Sequence, residues 1–198
     1  MRVEKERLIA KAPKLRAIVL SANRFEDMEL FFPYFRLVEE GIEVDIAAPN
    51  KGSIHGESGR YELDIDKTFD DINPDDYDIL ILPGGDPNGA PAIVRRNEKA
   101  LSIAKTFFAA NKPVAAICHG PYTLISAGLL KGRRATGFWG DGVPDEIKQA
   151  GAHYEDKDVV VDGNLITSRY PMDLPVFMWE VMKVVQRVRE SKYSSKKE

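Results

Sequence analysis

A chain of 198 residues, 43% of them apolar and with a net charge of −3, is globular and long enough for one substantial core. The near balance of 28 lysines and arginines against 31 aspartates and glutamates excludes a basic footprint for nucleic acid. No apolar run approaches the ~20 residues of a membrane span, the charged N-terminus lacks the apolar stretch of a signal peptide, and the single cysteine can form no internal disulfide, so a reducing cytoplasm is the expected setting.

Residues 1–14 read as a charged extension that ends near Pro13. Residues 15–20 form the first predicted strand, closed by the turn cluster Ser21-Ala22-Asn23. A helix opens near Phe25 with Glu26, Asp27 and Glu29 in its first turn, where the dipole favours acids. Leu30, Tyr34, Leu37 and Val38 recur at helical spacing, Pro33 interrupts them, and Gly41 caps the helix. Residues 43–48 alternate as a second strand, residues 49–59 are rich in turn formers, and residues 61–65 alternate again as a peripheral strand. The acidic stretch 69–77 reads as loop or short helical turns.

Ile79-Leu80-Ile81-Leu82 is a continuous apolar run, as a central parallel strand requires. The loop Pro83-Gly84-Gly85-Asp86 follows at once, and residues 93–111 then show one long helical pattern with Ile93, Ala100, Ile103, Ala104, Phe107 and Phe108 inward. Val114-Ala115-Ala116-Ile117 is a further buried strand that ends abruptly at Cys118-His119-Gly120-Pro121, before another helical pattern. Residues 134–137 suggest a short strand and residues 145–151 a short helix. Val159-Val160-Val161, Asp162-Gly163-Asn164, Leu165-Ile166-Thr167-Ser168 is a hairpin. A final helix is expected over residues 174–189, and residues 191–198 are a polar tail. Strands alternate with helices and no repeat or composition shift marks a boundary, which predicts a single doubly wound α/β domain over residues 15–190 with a mostly parallel sheet.

In such a sheet, ligands bind beyond the C-terminal strand ends. Three of those ends carry chemistry: Glu26 after the first strand, Gly84-Gly85 after the central one, and Cys118-His119 after the next. A thiol at the tip of a strand–turn–helix is exposed to substrate, and the helix N-terminus is expected to lower its pKa. Cys118 would be the nucleophile. Glu26 would hydrogen-bond the sulfur or shuttle a proton, and for that it must be protonated part of the time, which burial favours. The N–H groups of Gly85 and His119 would bind a developing oxyanion. The His119 ring adjoins the sulfur in sequence, but it acts only if a third group orients it. Taken singly these residues have plainer readings. A lone cysteine ending a strand is often a small buried hydrophobe, Glu26 alone is a dipole-stabilising residue of a helix start, and Pro-Gly-Gly alone is a turn. His55 and His153 are expected at the surface, the three scattered histidines give no metal spacing, and no metal is expected.

Taken together, Ser21-Ala22-Asn23-Arg24-Phe25-Glu26-Asp27-Met28-Glu29-Leu30, Leu82-Pro83-Gly84-Gly85 and Ala116-Ile117-Cys118-His119-Gly120-Pro121 resemble the ThiJ/PfpI superfamily, and its PfpI branch in particular. The resemblance extends over residues 15–188. It implies a flavodoxin-like three-layer α/β/α sandwich related to class I glutamine amidotransferase domains, with Cys118 on a strained elbow, Glu26 as its carboxyl partner, and the Gly85 and His119 amides as oxyanion hole. It also implies a homo-oligomer, either a dimer or a larger ring. The activities it implies are peptidase, glutathione-independent glyoxalase, protein or nucleotide deglycase, chaperone and oxidative-stress sensor.

Two departures from the PfpI pattern bear on the choice. Peptidase-type members place an acid after Pro-Gly-Gly that reaches a neighbouring subunit and orients the histidine, and that position here is Ala92. Asp86, in a longer loop, is the candidate replacement. Phe138-Trp139 stand where relatives tend to carry Tyr or His, so the pocket, with Gly84 and Asp86 at its edge, is more aromatic. The favoured expectation is therefore cofactor-free detoxification of a small carbonyl such as methylglyoxal through a hemithioacetal on Cys118, in stress protection. Peptide hydrolysis by Cys118-His119 is the first alternative, and a redox sensor or chaperone without turnover the second.

Overall fold

A computed structural model describes residues 14–195; apart from Lys14, the expected N-terminal extension lies outside them. Eleven strands are assigned among the described residues: β1 Arg16–Leu20, β2 Glu43–Ala48, β3 Gly52–His55, β4 Glu62–Ile65, β5 Lys67–Thr68, β6 Ile79–Leu82, β7 Val114–Ile117, β8 Arg134–Ala135, β9 His153–Tyr154, β10 Val159–Asp162 and β11 Leu165–Ser168. The helices are α1 Asp27–Glu39, α2 Ala90–Val94, α3 Glu98–Ala109, α4 Pro121–Ser126, α5 Val143–Gln149 and α6 Leu174–Ser195.

The main sheet has the order β10-β11-β7-β6-β1-β2-β5. Only the β10–β11 hairpin is antiparallel; β11, β7, β6, β1, β2 and β5 run parallel. The strands β6 and β7 are buried along their whole length, as strands covered on both faces must be. Helices α1 and α6 pack together on one side of the sheet, and α3 and α4 on the other, giving the expected flavodoxin-like sandwich. The core is aliphatic, built on Ile18, Leu20, Leu80, Ile81, Ile117 and Ile166 beneath Phe107 and Phe177. Burial of such side chains contributes about 1.5–3 kcal/mol each.

The structure departs from the sequence reading in four places. The long helix expected over residues 93–111 is two helices, because the Asn97 side chain accepts from the backbone N–H groups of Lys99 and Ala100 and starts α3 afresh. Ile93, expected inward, is exposed on α2. The turn-rich stretch contains β3, which pairs with β4 away from the main sheet. The expected polar tail begins too early, since α6 continues through Ser195.

Strand order places the ends of β1, β6 and β7 side by side, and the register Val19–Ile81–Ala115 brings them to one level. The loops beyond them are strapped together: the Glu26 N–H donates to the Gly84 carbonyl (3.2 Å) and the Asp86 N–H to the Arg24 carbonyl (3.1 Å). The groups that converge on Cys118 come from these loops, from the first turns of α1, from the end of β11 and from the segment before α5.

Candidate active site

The elbow between β7 and α4 is strained by construction. Cys118 has φ 60, a left-handed conformation that side chains with a β-carbon adopt only at a cost of about 1–3 kcal/mol. It is held there by its N–H on the Ser168 carbonyl (3.1 Å) and by its own carbonyl, which accepts from the Phe138 N–H (3.0 Å). Gly120 completes the turn with its N–H on the Ile117 carbonyl (2.7 Å); a β-carbon on Gly120 would collide with the Leu82 carbonyl.

The carboxyl that meets the thiol is Glu29. Glu26, the expected partner, is the N-cap of α1: its Oε2 accepts from the Glu29 N–H at 2.6 Å. The plainer reading of that residue, a helix-start acid, describes its place. Glu29 lies one turn further on, where the inner face of α1 also carries Leu30, Pro33 and Leu37. It is fully buried, its Oε2 accepts from the Gly84 N–H at 2.8 Å, and its carboxyl lies beside the Cys118 side chain across Gly84. Oε1 has no nitrogen or oxygen partner among the described residues. A signal was present in the sequence: an acid in register with the apolar stripe of a helix is an expensive residue, and such residues concentrate at functional sites.

The electrostatics of the pair follow from burial. Loss of solvent pushes the Glu29 carboxyl well above its ordinary range, and the nearby Glu26 charge adds to that; the Gly84 N–H and the Cys118 contact pull the other way without prevailing. Burial also pushes the Cys118 thiol up, and the Glu29 charge pushes it further, against hydrogen bonds from the His119 and Gly85 amides. The expectation of a thiol acidified by the helix N-terminus is therefore corrected. The helix α4 has only six residues, and Cys118 is 7% exposed. Two acids buried side by side each disfavour the other's ionisation.

The amides of Gly85 and His119, expected as oxyanion donors, both face the sulfur. Gly85 has φ 143, which only glycine adopts readily, and a β-carbon there would meet the Arg24 and Phe25 backbone. Gly84 separates the carboxyl from the thiol: a β-carbon on it would sit 2.6 Å from Glu29 Oε2 and 2.7 Å from Cys118 Cβ.

The His119 ring faces the thiol, with Nδ1 3.3 Å from Sγ. Its Nε2 lies 3.2 Å from Asp141 Oδ2. Within its own chain the Asp86 carboxylate pairs with Arg24 and accepts from the Asn88 N–H. Ala92 is buried in α2. Burial pushes the imidazole below its ordinary pKa, partly offset by Asp141. Asp141 was missed in the sequence because its contact with His119 depends on the loop between β8 and α5, and only the flanking Gly140 and Gly142 hint at a special turn. Phe138 packs on His119 with ring centroids 5.1 Å apart. Trp139, 50% exposed, packs edge-on against Tyr170 at 4.6 Å. The expected aromatic wall thus runs from the histidine to the surface. His55 and His153 are exposed, and no group of three or more His, Cys, Asp or Glu among the described residues is arranged to hold a metal. No helix among them is long and apolar enough to cross a membrane.

Comparison with known proteins agrees with this fold. Deglycase PfpI of Pyrococcus furiosus is 51% identical over 172 residues, covering 87% of this chain and 100% of that protein. Protein/nucleic acid deglycase 2 of Escherichia coli is 37% identical over 169 residues, covering 84% of this chain and 95% of that one. Among solved structures, a two-domain protein from Anabaena variabilis with DJ-1/ThiJ/PfpI-like and ferritin-like domains superposes with TM-score 0.82 at 34% identity, covering 86% of this chain and 50% of that chain. The present chain therefore spans half the length of that protein. Residues 15–184 match the DJ-1/PfpI family, and with that match, half-identical relatives and the shared fold, the chain belongs to the DJ-1/PfpI family.

Proposed function

We propose that this protein is a Cys118-dependent enzyme of deglycase or glyoxalase type, acting without a cofactor on small reactive carbonyls and their adducts. The observation that carries the reading is the Cys118–Glu29 pair: Cys118, only 7% exposed, lies beside a fully buried carboxyl whose ionisation burial disfavours. A site of that kind suits a small substrate, and the deglycase names of the two relatives point the same way.

The chemistry balances within the substrate. With a 2-oxoaldehyde, the Cys118 proton passes to His119 Nδ1 as sulfur adds to the aldehyde carbon, the C=O electron pair moves to oxygen beneath the Gly85 and His119 amides, and that oxygen takes the Glu29 proton to give a hemithioacetal. The Glu29 carboxylate left behind takes the proton from that carbon and returns it to the neighbouring carbon, while the hydroxyl proton passes from the first oxygen to the second, so that the first carbon is oxidised and the second reduced. Water cleaves the resulting thioester, releasing a 2-hydroxy acid and the free thiol. On an amine adduct, the sulfur displaces the amine, which leaves with a proton, and the later steps are the same.

The test is methylglyoxal consumption with lactate release, in the wild type and in Cys118→Ala. Turnover that survives in Cys118→Ala sinks the proposal. Peptide hydrolysis is a second reading, favoured by the His119 ring at 3.3 Å from Sγ with Asp141 behind it. Cleavage of a fluorogenic peptide by the wild type and not by Cys118→Ala would establish it.

A further inference from the structure

We infer that Asp141 is the positioning residue for His119, turning its ring so that Nδ1 accepts the Cys118 proton, and that this chain supplies its own orienting acid. The inference rests on Cys118 being the reacting group.

The His119 side chain is 5% exposed, and its two nitrogens have different partners: Sγ at 3.3 Å from Nδ1 and Asp141 Oδ2 at 3.2 Å from Nε2. A carboxylate at Nε2 holds the ring proton on that nitrogen. The Nδ1 lone pair is then left facing the thiol, in the tautomer a base needs. When the S–H proton passes to Nδ1 and sulfur bonds to the carbonyl carbon, the imidazole becomes a cation, and the Asp141 charge stabilises it.

Asp141 is held for this task. It has φ 54 and Gly142 has φ 77, consecutive left-handed residues that aim the carboxylate back at α4. The Tyr122 hydroxyl donates to the Asp141 carbonyl at 3.1 Å. The Arg95 guanidinium lies 4.2 Å from the centre of the Tyr122 ring and binds both Glu146 oxygens, at 3.3 and 2.6 Å. A brace from α2 through α4 to α5 therefore fixes a loop residue against the buried ring. No such brace leads from Asp86, whose partner is Arg24.

The experiment reads the ring and the thiol directly, without a carbonyl substrate. Long-range 1H–15N spectra give the His119 tautomer and its titration, and iodoacetamide gives the rate of Cys118 alkylation across pH. The groups facing His119 are Cys118, Asp141, Tyr122 and the Gly85 carbonyl, with Asp86 acting through its charge. In the wild type a single neutral tautomer with the proton on Nε2 is expected. In Asp141→Asn, which tolerates the left-handed turn, the tautomers mix, the imidazole titrates at lower pH because a carboxylate that favoured its cation is gone, and alkylation near neutral pH slows by about 10²-fold. Asp141→Glu restores part of the rate. Asp145→Ala, an exposed control whose carboxylate pairs with Lys148 among the described residues, changes none of these readings. An Asp141→Asn protein that keeps one Nε2–H tautomer and wild-type alkylation overturns the assignment. If Asp141→Asn behaves as expected while the wild type never consumes methylglyoxal, the proposed function fails and the role of Asp141 stands.

Discussion

Replacing Gly84 by alanine drives a methyl group between the thiol and the carboxyl. The new β-carbon would lie 2.6 Å from Glu29 Oε2 and 2.7 Å from Cys118 Cβ, about 1 Å inside the ~3.5–4.0 Å at which carbon atoms rest. Gly84 is not among the positive-φ glycines, so alanine adds no left-handed strain there and the effect is one of space. Neither neighbour can withdraw freely. Glu29 is fully buried, and Cys118 is pinned by its bonds to Ser168 and Phe138. Overpacking of this kind costs about 1–3 kcal/mol, which lowers the melting temperature of a domain of this size by roughly 2–12 °C. The catalytic loss is larger in proportion, because a displacement of about 1 Å between reacting groups costs on the order of 10²-fold. Calorimetry and kcat/KM for methylglyoxal, with the alkylation rate of Cys118 as a substrate-free control, measure both effects. A folded Gly84→Ala protein with the wild-type melting temperature and undiminished Cys118 reactivity would refute the packing of thiol against carboxyl described above.

Other perturbations separate neighbouring residues. Glu29→Gln should lower turnover by about 10²-fold or more, while Glu26→Gln, which keeps an acceptor for the Glu29 N–H, should leave it near wild type; the reverse order would return the catalytic role to the helix cap. The same Glu29→Gln change should stabilise the fold at neutral pH. The folded carboxyl titrates above its ordinary value of 4.5, so wild-type stability is full below about pH 4.5 and falls as pH rises towards the folded pKa. Urea melts should show the gap between Glu29→Gln and wild type opening as pH rises from 4.5; a gap independent of pH would contradict the burial argument. Asp45 has the opposite sign. Burial pushes it up, but Lys67, the Tyr77 hydroxyl and Arg16 prevail and hold it below its ordinary 3.8. Its contribution is present above pH 3.8 and lost as pH falls through the folded value, so Asp45→Asn should destabilise at pH 7 and much less near pH 2.

Much of this was legible in the chain. Continuous apolar runs such as Ile79–Leu82 belong to strands buried on both faces, and their order with intervening helices leaves few topologies. The strand ends that bear Gly84-Gly85 and Cys118-His119 were therefore placed together correctly. The acid was assigned to the wrong turn of α1. Glu26 and Glu29 look alike as helix-start acids, and only the contact of the inner face with the Gly84 loop shows which one loses its water. The need of His119 for an orienting group was also legible, but its identity was not.

Local pattern, set by backbone sterics and hydrophobic periodicity, was enough to determine the α/β architecture and the turn at Cys118, and to raise the expectation of a carboxyl partner protonated part of the time. The tertiary structure alone decided which carboxyl that is, whether the thiol is acidified, and that Asp141 stands behind His119. Those three depend on desolvation and on contacts between distant segments: Glu29 with Gly84 is 55 residues apart, and His119 with Asp141 is 22. Neither burial nor such proximity is a property of a residue's neighbours in sequence; both arise only when the β1, β6 and β7 ends and the loop before α5 close over one thiol.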